Sequence, residues 1–171
     1  MKFAHLVIAT SVIGLTLVSK MALAQDAGAG GTQPAGQGIS ITTGPILPKN
    51  FPVSDEILKS FAVNYDYPIV TAGFLEGGML FSNSHGIHYQ NINVSYRADM
   101  PFQDLTVFAL GGIDLMRMKR EGDSFNYYGG IHLGGGMLAH IVAQTYLRME
   151  MRFNLHPGTL MLFNFGLEFR F

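Results

Sequence analysis

The chain contains no cysteine. It can therefore form no disulfide, no thiolate nucleophile and no cysteine-based zinc site. Charge is scarce as well. Asp, Glu, Lys and Arg make up 13 % of the 171 residues, where about a quarter is ordinary for a soluble domain. Beyond the N-terminus no stretch approaches the roughly 18 consecutive apolar residues that mark a membrane-crossing helix. What the chain does have is 48 % hydrophobic residues, 21 Gly and 13 Phe. Much hydrophobicity, little charge and no long apolar run fit a membrane protein built of strands, which places its apolar side chains at every second residue.

The N-terminus reads as an export signal over residues 1–24. Lys2 supplies the positive start, Leu6 to Val18 the apolar core, and Ala22-Leu23-Ala24 a small-residue cleavage site before Gln25. Cleavage there lowers Lys plus Arg from 11 to 9 against 12 acidic residues, for a net charge of −3. A chain of that charge is not expected to bind nucleic acid. Residues 25–37, rich in Gly and Ala, have too little apolar surface to form a core and read as a flexible tether. Residues 38–171 are left for the barrel.

From Ile69 onward the dominant period is two, the signature of strands. Six segments stand out: Ile69–Phe81, Ile87–Ala98, Leu105–Met118, Phe125–His140, Ala143–Asn154 and Thr159–Phe171. The turn-like stretches SNSHG, DMPFQ, KREGDS, HIVAQ and LHPGT separate them. These segments are longer than the 5–6 residues typical of soluble sheets. Six strands cannot close a barrel of the known membrane type, whose smallest members have about eight, and an open sheet edge is not tolerated in lipid. Two further strands fit upstream, at Gly38–Leu47 and Ile57–Tyr67, with Asn50–Asp55 as their loop. The expectation is all-β: a closed, antiparallel, up-and-down transmembrane β-barrel of eight strands.

The polar face of these segments separates a membrane barrel from a soluble sheet. It carries Glu76, Arg97, Asp114, His132, Arg148, Glu150, Arg152, Glu168 and Arg170, interleaved with Gly. An eight-stranded barrel has an interior just wide enough for side chains. There, four carboxylates (Glu76, Asp114, Glu150, Glu168) would balance four guanidiniums (Arg97, Arg148, Arg152, Arg170), as burial of charge demands. The other face is Leu, Ile, Val, Met and Phe. Aromatics collect at the segment ends, with Tyr67, Tyr96, Phe102, Phe169 and Phe171 at one rim and Phe81, Phe125, Tyr127 and Phe153 at the other, as interfacial belts do. A soluble, lipocalin-like barrel is the alternative; it would turn the Phe163–Phe171 face inward.

GGIHLGGG (Gly129–Gly136), RMEMR (Arg148–Arg152) and the closing GLEFRF (Gly166–Phe171) resemble the small outer-membrane β-barrel superfamily, the opacity-protein type that includes the membrane domain of outer membrane protein A. The resemblance covers roughly Ile69–Phe171. It implies that Gly166, Leu167, Phe169 and Phe171 form a C-terminal insertion signal. It also implies dealings with the barrel-assembly machinery and periplasmic chaperones during biogenesis. The loops are much shorter than in opacity adhesins, and no peptidoglycan-binding domain is present.

Little in the sequence points to catalysis. His85 and His88 share a turn but lack a third ligand, so no metal is expected. Ser95 and His132 both face inward, with nothing in the sequence to set them at one depth. The late strands hold no Ser, so the serine hydrolase arrangement of lipid A deacylases is not present there. No catalytic residue, cofactor or metal is expected. Arg117, Lys119 and Arg120 cluster in RMKREGDS, a stretch read as an external loop, where cations would meet the phosphates of lipopolysaccharide. The expectation is a monomeric outer-membrane protein with a structural or surface-interaction role. A lipid A-modifying enzyme and a narrow channel are the alternatives.

Overall fold

The period of two is realised as eight strands that close on themselves. The computed structural model describes residues 36–50, 56–70, 72–103, 105–156 and 158–171. The expected signal peptide, all but the last two residues of the tether, and residues 51–55 of the first loop lie outside the described residues. The strands are β1 (Gly38–Lys49), β2 (Leu58–Val70), β3 (Gly73–Ser84), β4 (Ile87–Phe102), β5 (Leu105–Arg120), β6 (Asn126–Val142), β7 (Thr145–Asn154) and β8 (Thr159–Arg170). Each pairs antiparallel with the next, and β1 pairs with β8 to complete the barrel.

Residues 38–67 thus supply strands. β1 runs beside β8 from Gly38↔Arg170 to Lys49↔Thr159. The ladder skips Gly44 and Pro45, between Thr43↔Phe165 and Ile46↔Leu162. Pro has no N–H to give, so it is tolerated only where the ladder is already interrupted. The connections at 71–72, 103–104 and 143–144 lie at the end of the barrel that holds β1's start and β8's finish, and each is two residues long. The opposite end carries 50–57, 85–86, 121–125 and 155–158. His85 (φ 55°) and Gly86 (φ 71°) both take positive φ, as a two-residue type I′ hairpin requires.

Several strand boundaries differ from the sequence expectation. Ile69 and Val70 complete β2 rather than opening β3. DMPFQ is mostly strand, because β4 continues to Phe102 and Gln103 leaves it with a positive φ of 50°. β6 extends through His140 to Val142. β5 runs on to Arg120, paired with Ile87, so the loop that follows is only 121–125.

Side chains alternate between an interior and an exterior. Phe163, Phe165, Leu167, Phe169 and Phe171 are all exposed, while Asn164 and Glu168 are buried. This overturns the lipocalin-like alternative: the apolar face of the last strand is the outer surface. The same holds for Ile92 and Val94 on β4, Ile113 and Leu115 on β5, and Met149 and Met151 on β7. An outer surface this apolar is stable only against lipid, which is where strands of this length and alternation are found. Tyr67, Tyr96 and Phe169 point outward near the end that holds the start of β1 and the finish of β8, and Phe81 and Tyr127 near the other end.

Candidate functional site

The barrel interior is filled in two storeys. The storey toward the open connections is apolar: Ile46, Leu58, Leu80, Ile87, Tyr89, Met116, Met118, Leu160 and Leu162 pack together and are buried. The sequence reading placed charges and glycines inside and missed this plug. Its signal was present, because Leu160, Met161, Leu162 and Phe163 are apolar in succession, which marks a strand with no polar face.

The storey toward the start of β1 and the finish of β8 is charged. Arg97 donates to Asp66 at 3.0 Å, to Asp99 at 2.8 Å and to Glu168 at 3.1 Å. Arg148 donates to Glu76 at 2.6 Å, to Glu168 at 3.3 Å and to Glu150. Arg152 reaches Glu76 at 3.0 Å and Glu150 at 2.9 Å, and Arg170 reaches Glu168 at 2.9 Å and Asp99 at 2.8 Å. Arg97 and Arg148 are 0 % exposed. Rings complete the lining: Phe108 lies 5.1 Å from the guanidinium carbons of both Arg97 and Arg148, and Phe74 lies 4.8 Å from that of Arg97. Charge buried this deeply is tolerable only when every guanidinium has several acceptors.

The membership differs from the four-against-four expectation. Asp66 and Asp99 belong to the network and Asp114 does not, so among the described residues five carboxylates surround four guanidiniums. Asp99 opens DMPFQ, which the sequence pattern marks as turn-like.

Asp114 instead accepts from His132, whose Nδ1 is 2.9 Å from its Oδ2, and His132 Nε2 is 2.8 Å from Ser95 Oγ. This corrects the expectation that Ser95 and His132 lack a common depth. One row across the sheet contains both, with Gly112 between them: Ser95↔Gly112 on β4–β5 and Gly112↔His132 on β5–β6. A Cβ on residue 112 would come within 2.8 Å of His132 Cε1, so only Gly lets the imidazole lie across β5 to the serine. The order Ser–His–Asp is that of a hydrolase triad, but Ser95 and His132 are each 1 % exposed and Asp114 5 %. Catalysis needs a scissile carbonyl within about 3–3.5 Å of the nucleophile, and here the nucleophile position is buried. What the trio does in place is satisfy three buried polar side chains and tie β4, β5 and β6 together.

The remaining singled-out residues lie apart from the interior. Gly166, Leu167 and Phe169 sit on β8 and Phe171 just beyond it, where its N–H donates to the Gln37 carbonyl at 2.9 Å. Arg117, Lys119 and Arg120 are on strand β5 and not in a loop, a correction that follows from its pairing with β4 to the last residue. Alternation puts Arg117 and Lys119 on the outer face and turns Arg120 to the other side. Phe125 lies under both outer cations, 4.8 Å from Arg117 Cζ and 5.0 Å from Lys119 Nζ. His85 is 3.6 Å from Glu56.

No family model and no curated sequence matches the chain. Solved structures do. Neisserial surface protein A superposes with a TM-score of 0.70 at 12 % identity, covering 79 % of this chain and 97 % of that one. The chain has the fold of the small outer-membrane β-barrels. The N-terminal β-barrel domain of Pseudomonas aeruginosa OprF matches with a TM-score of 0.66 at 11 % identity, covering 81 % and 98 %. Ail, the attachment invasion locus protein of Yersinia pestis, matches with a TM-score of 0.53 at 11 % identity, covering 80 % and 97 %. Nearly the whole of each of these barrels is therefore matched, at identities where only the fold is shared.

Proposed function

We propose that this chain is a bacterial outer-membrane barrel with a structural or surface-interaction role and no catalytic one. The observation that carries the proposal is the combination of an apolar exterior with an interior that holds an apolar plug and a buried ion-pair network. A channel needs a polar water-filled lumen, and the Ile46–Leu162 plug blocks one end. An enzyme needs an approachable nucleophile, and Ser95 is buried, 1 % exposed. Fold likeness to a surface protein and an attachment protein supports a role at the cell surface. The apolar Leu167, Phe169 and Phe171 on the outer face of the last strand are where the assembly machinery would read the insertion signal. The barrel is closed with no free strand edge, so it can stand in the membrane as a monomer.

One preparation tests this reading. Membrane-extracted protein should migrate differently on gels before and after boiling, fail to label with a fluorophosphonate probe, and give no discrete conductance steps in planar bilayers. Conductance steps would favour the channel, and labelling lost on Ser95→Ala would favour the enzyme. Deleting Phe171 should slow assembly in cells while leaving refolding in detergent nearly unchanged, because Phe171 lies beyond β8 and is tied among the described residues by a backbone hydrogen bond to the Gln37 carbonyl.

A further inference from the structure

The outer face of β2–β5 carries two neighbouring rows of unusual composition near the end opposite the start of β1 and the finish of β8. In the inner row Phe61 pairs with Phe81, Phe81 with Gln90, and Gln90 with Arg117. The next row on the same face, about 7 Å further along the strands, holds Lys59 beside Asn83, then His88 opposite Lys119. Below both rows, toward the middle of the barrel, Val63, Met79, Ile92 and Leu115 follow in register and carry no charge. Lys59, Phe61, Phe81, Asn83, His88 and Gln90 line a groove of about 460 Å³.

Three cations, Lys59, Arg117 and Lys119, therefore stand on one outward surface immediately above an apolar wall. None of the ion pairs among the described residues involves them. Two of them, Arg117 and Lys119, are positioned by other contacts. The guanidinium of Arg117 donates to Gln90 Oε1 at 2.6 Å, and the Phe125 ring lies against both Arg117 and Lys119. A surface with fixed cations above and apolar side chains below is complementary to a lipid whose phosphate sits directly over its acyl chains.

We infer that this face is a binding site for lipid A, with the phosphates on Lys59, Arg117 and Lys119 and an acyl chain in the groove over Phe61 and Phe81. The inference rests on the outer-membrane reading above and refines it. Charge complementarity selects lipid A over other lipids: three cations spread across four strands match a headgroup with two phosphates better than one with a single phosphate. Arg120, although next in sequence, is not part of the site because it points to the other side of the sheet.

The test uses the full mature chain folded in detergent, checked for heat-modifiable mobility, and native mass spectrometry with added bisphosphorylated lipid A. The combined variant Lys59→Gln, Arg117→Gln, Lys119→Gln should bind about a hundredfold more weakly, since each cation near a phosphate surface is worth about fivefold. Arg120→Gln, which removes the same charge from the same rim, should stay within about twofold of wild type. Dephosphorylated lipid A should bind wild type and variant alike, and phosphatidylglycerol should compete poorly. A folded triple variant that binds as wild type does, or phosphatidylglycerol that competes equally, overturns the site while leaving the membrane barrel standing. A chain that never acquires heat-modifiable mobility overturns both.

Discussion

Replacing Arg148 by Met is expected to destabilise the folded barrel by about 3–5 kcal/mol, the typical cost of removing one partner from a buried ion pair. The size follows from what is left behind. Arg148 is 0 % exposed, and its guanidinium satisfies Glu76 at 2.6 Å, Glu168 at 3.3 Å, Glu150, and the Ser40 hydroxyl at 3.2 Å. Without it Glu150 keeps Arg152, and Glu168 keeps Arg97 and Arg170, but Glu76 is left with Arg152 and a longer 3.5 Å approach to Arg97. Carboxylates would then outnumber guanidiniums five to three in a space closed to water. Typical domains are stable by only about 5–15 kcal/mol, so the loss is a large share. Arg148→Lys should recover part of it, because one ammonium cannot reach acceptors spread over a planar fork.

Urea unfolding in lipid vesicles, followed by circular dichroism or gel mobility, measures the effect. The decisive comparison is the double variant Arg148→Met with Glu76→Gln. Removing one carboxylate restores part of the balance, so the double variant should be less destabilised than the sum of the single ones. A single-variant loss below about 1 kcal/mol, the range of a surface pair, would mean that the interior network contributes little to stability.

How far the sequence could be read depended on whether a feature needed register. β7 was legible almost residue by residue, because Arg148, Glu150 and Arg152 alternate with Leu147, Met149 and Met151 and both periods are unbroken. The fold class followed from alternation and length alone. β1 was hard to see because Gly44 and Pro45 interrupt it, and only closure of the barrel argued for it. The Ser95–His132 contact could not be seen at all. A turn centred on Pro101 sets Ser95 opposite Val107, whereas the actual pairing of Phe102 with Leu105 sets it opposite Gly112. A shift of five residues in pairing hid which side chains meet, although every one of them was correctly assigned to the inside. Asp99 was lost to the same misplaced turn. The apolar plug was missed for a different reason: apolar residues on both faces erase the alternation that identified the strands, and Met116 and Met118 then look like ordinary strand ends.

Register also controls the second large effect. Gly166→Val is expected to abolish the folded, heat-modifiable form altogether. Gly166 pairs with Thr42 across the β1–β8 seam and with Arg148 on the other side. A Cβ at this position would be driven into the carbonyl oxygen of Ile41, with Thr42 Cα at 2.7 Å and Ile41 C at 2.9 Å. All three are backbone atoms of the strand that closes the barrel. Overpacking against movable side chains costs about 1–3 kcal/mol, but backbone in a ladder can yield only by breaking the ladder. An opened seam exposes unpaired N–H and C=O groups to lipid, which no barrel tolerates. Gly166 is also within the proposed insertion signal, and the two roles predict different results. If residue 166 matters only to the assembly machinery, Gly166→Val should fail in cells and refold normally in detergent, where that machinery is absent. If it matters to closure, the variant should fail in both, while the Phe171 deletion refolds. Normal refolding of Gly166→Val in detergent would sink the closure argument, and Gly166→Ala, whose added methyl meets the same backbone, should already lower the refolded fraction.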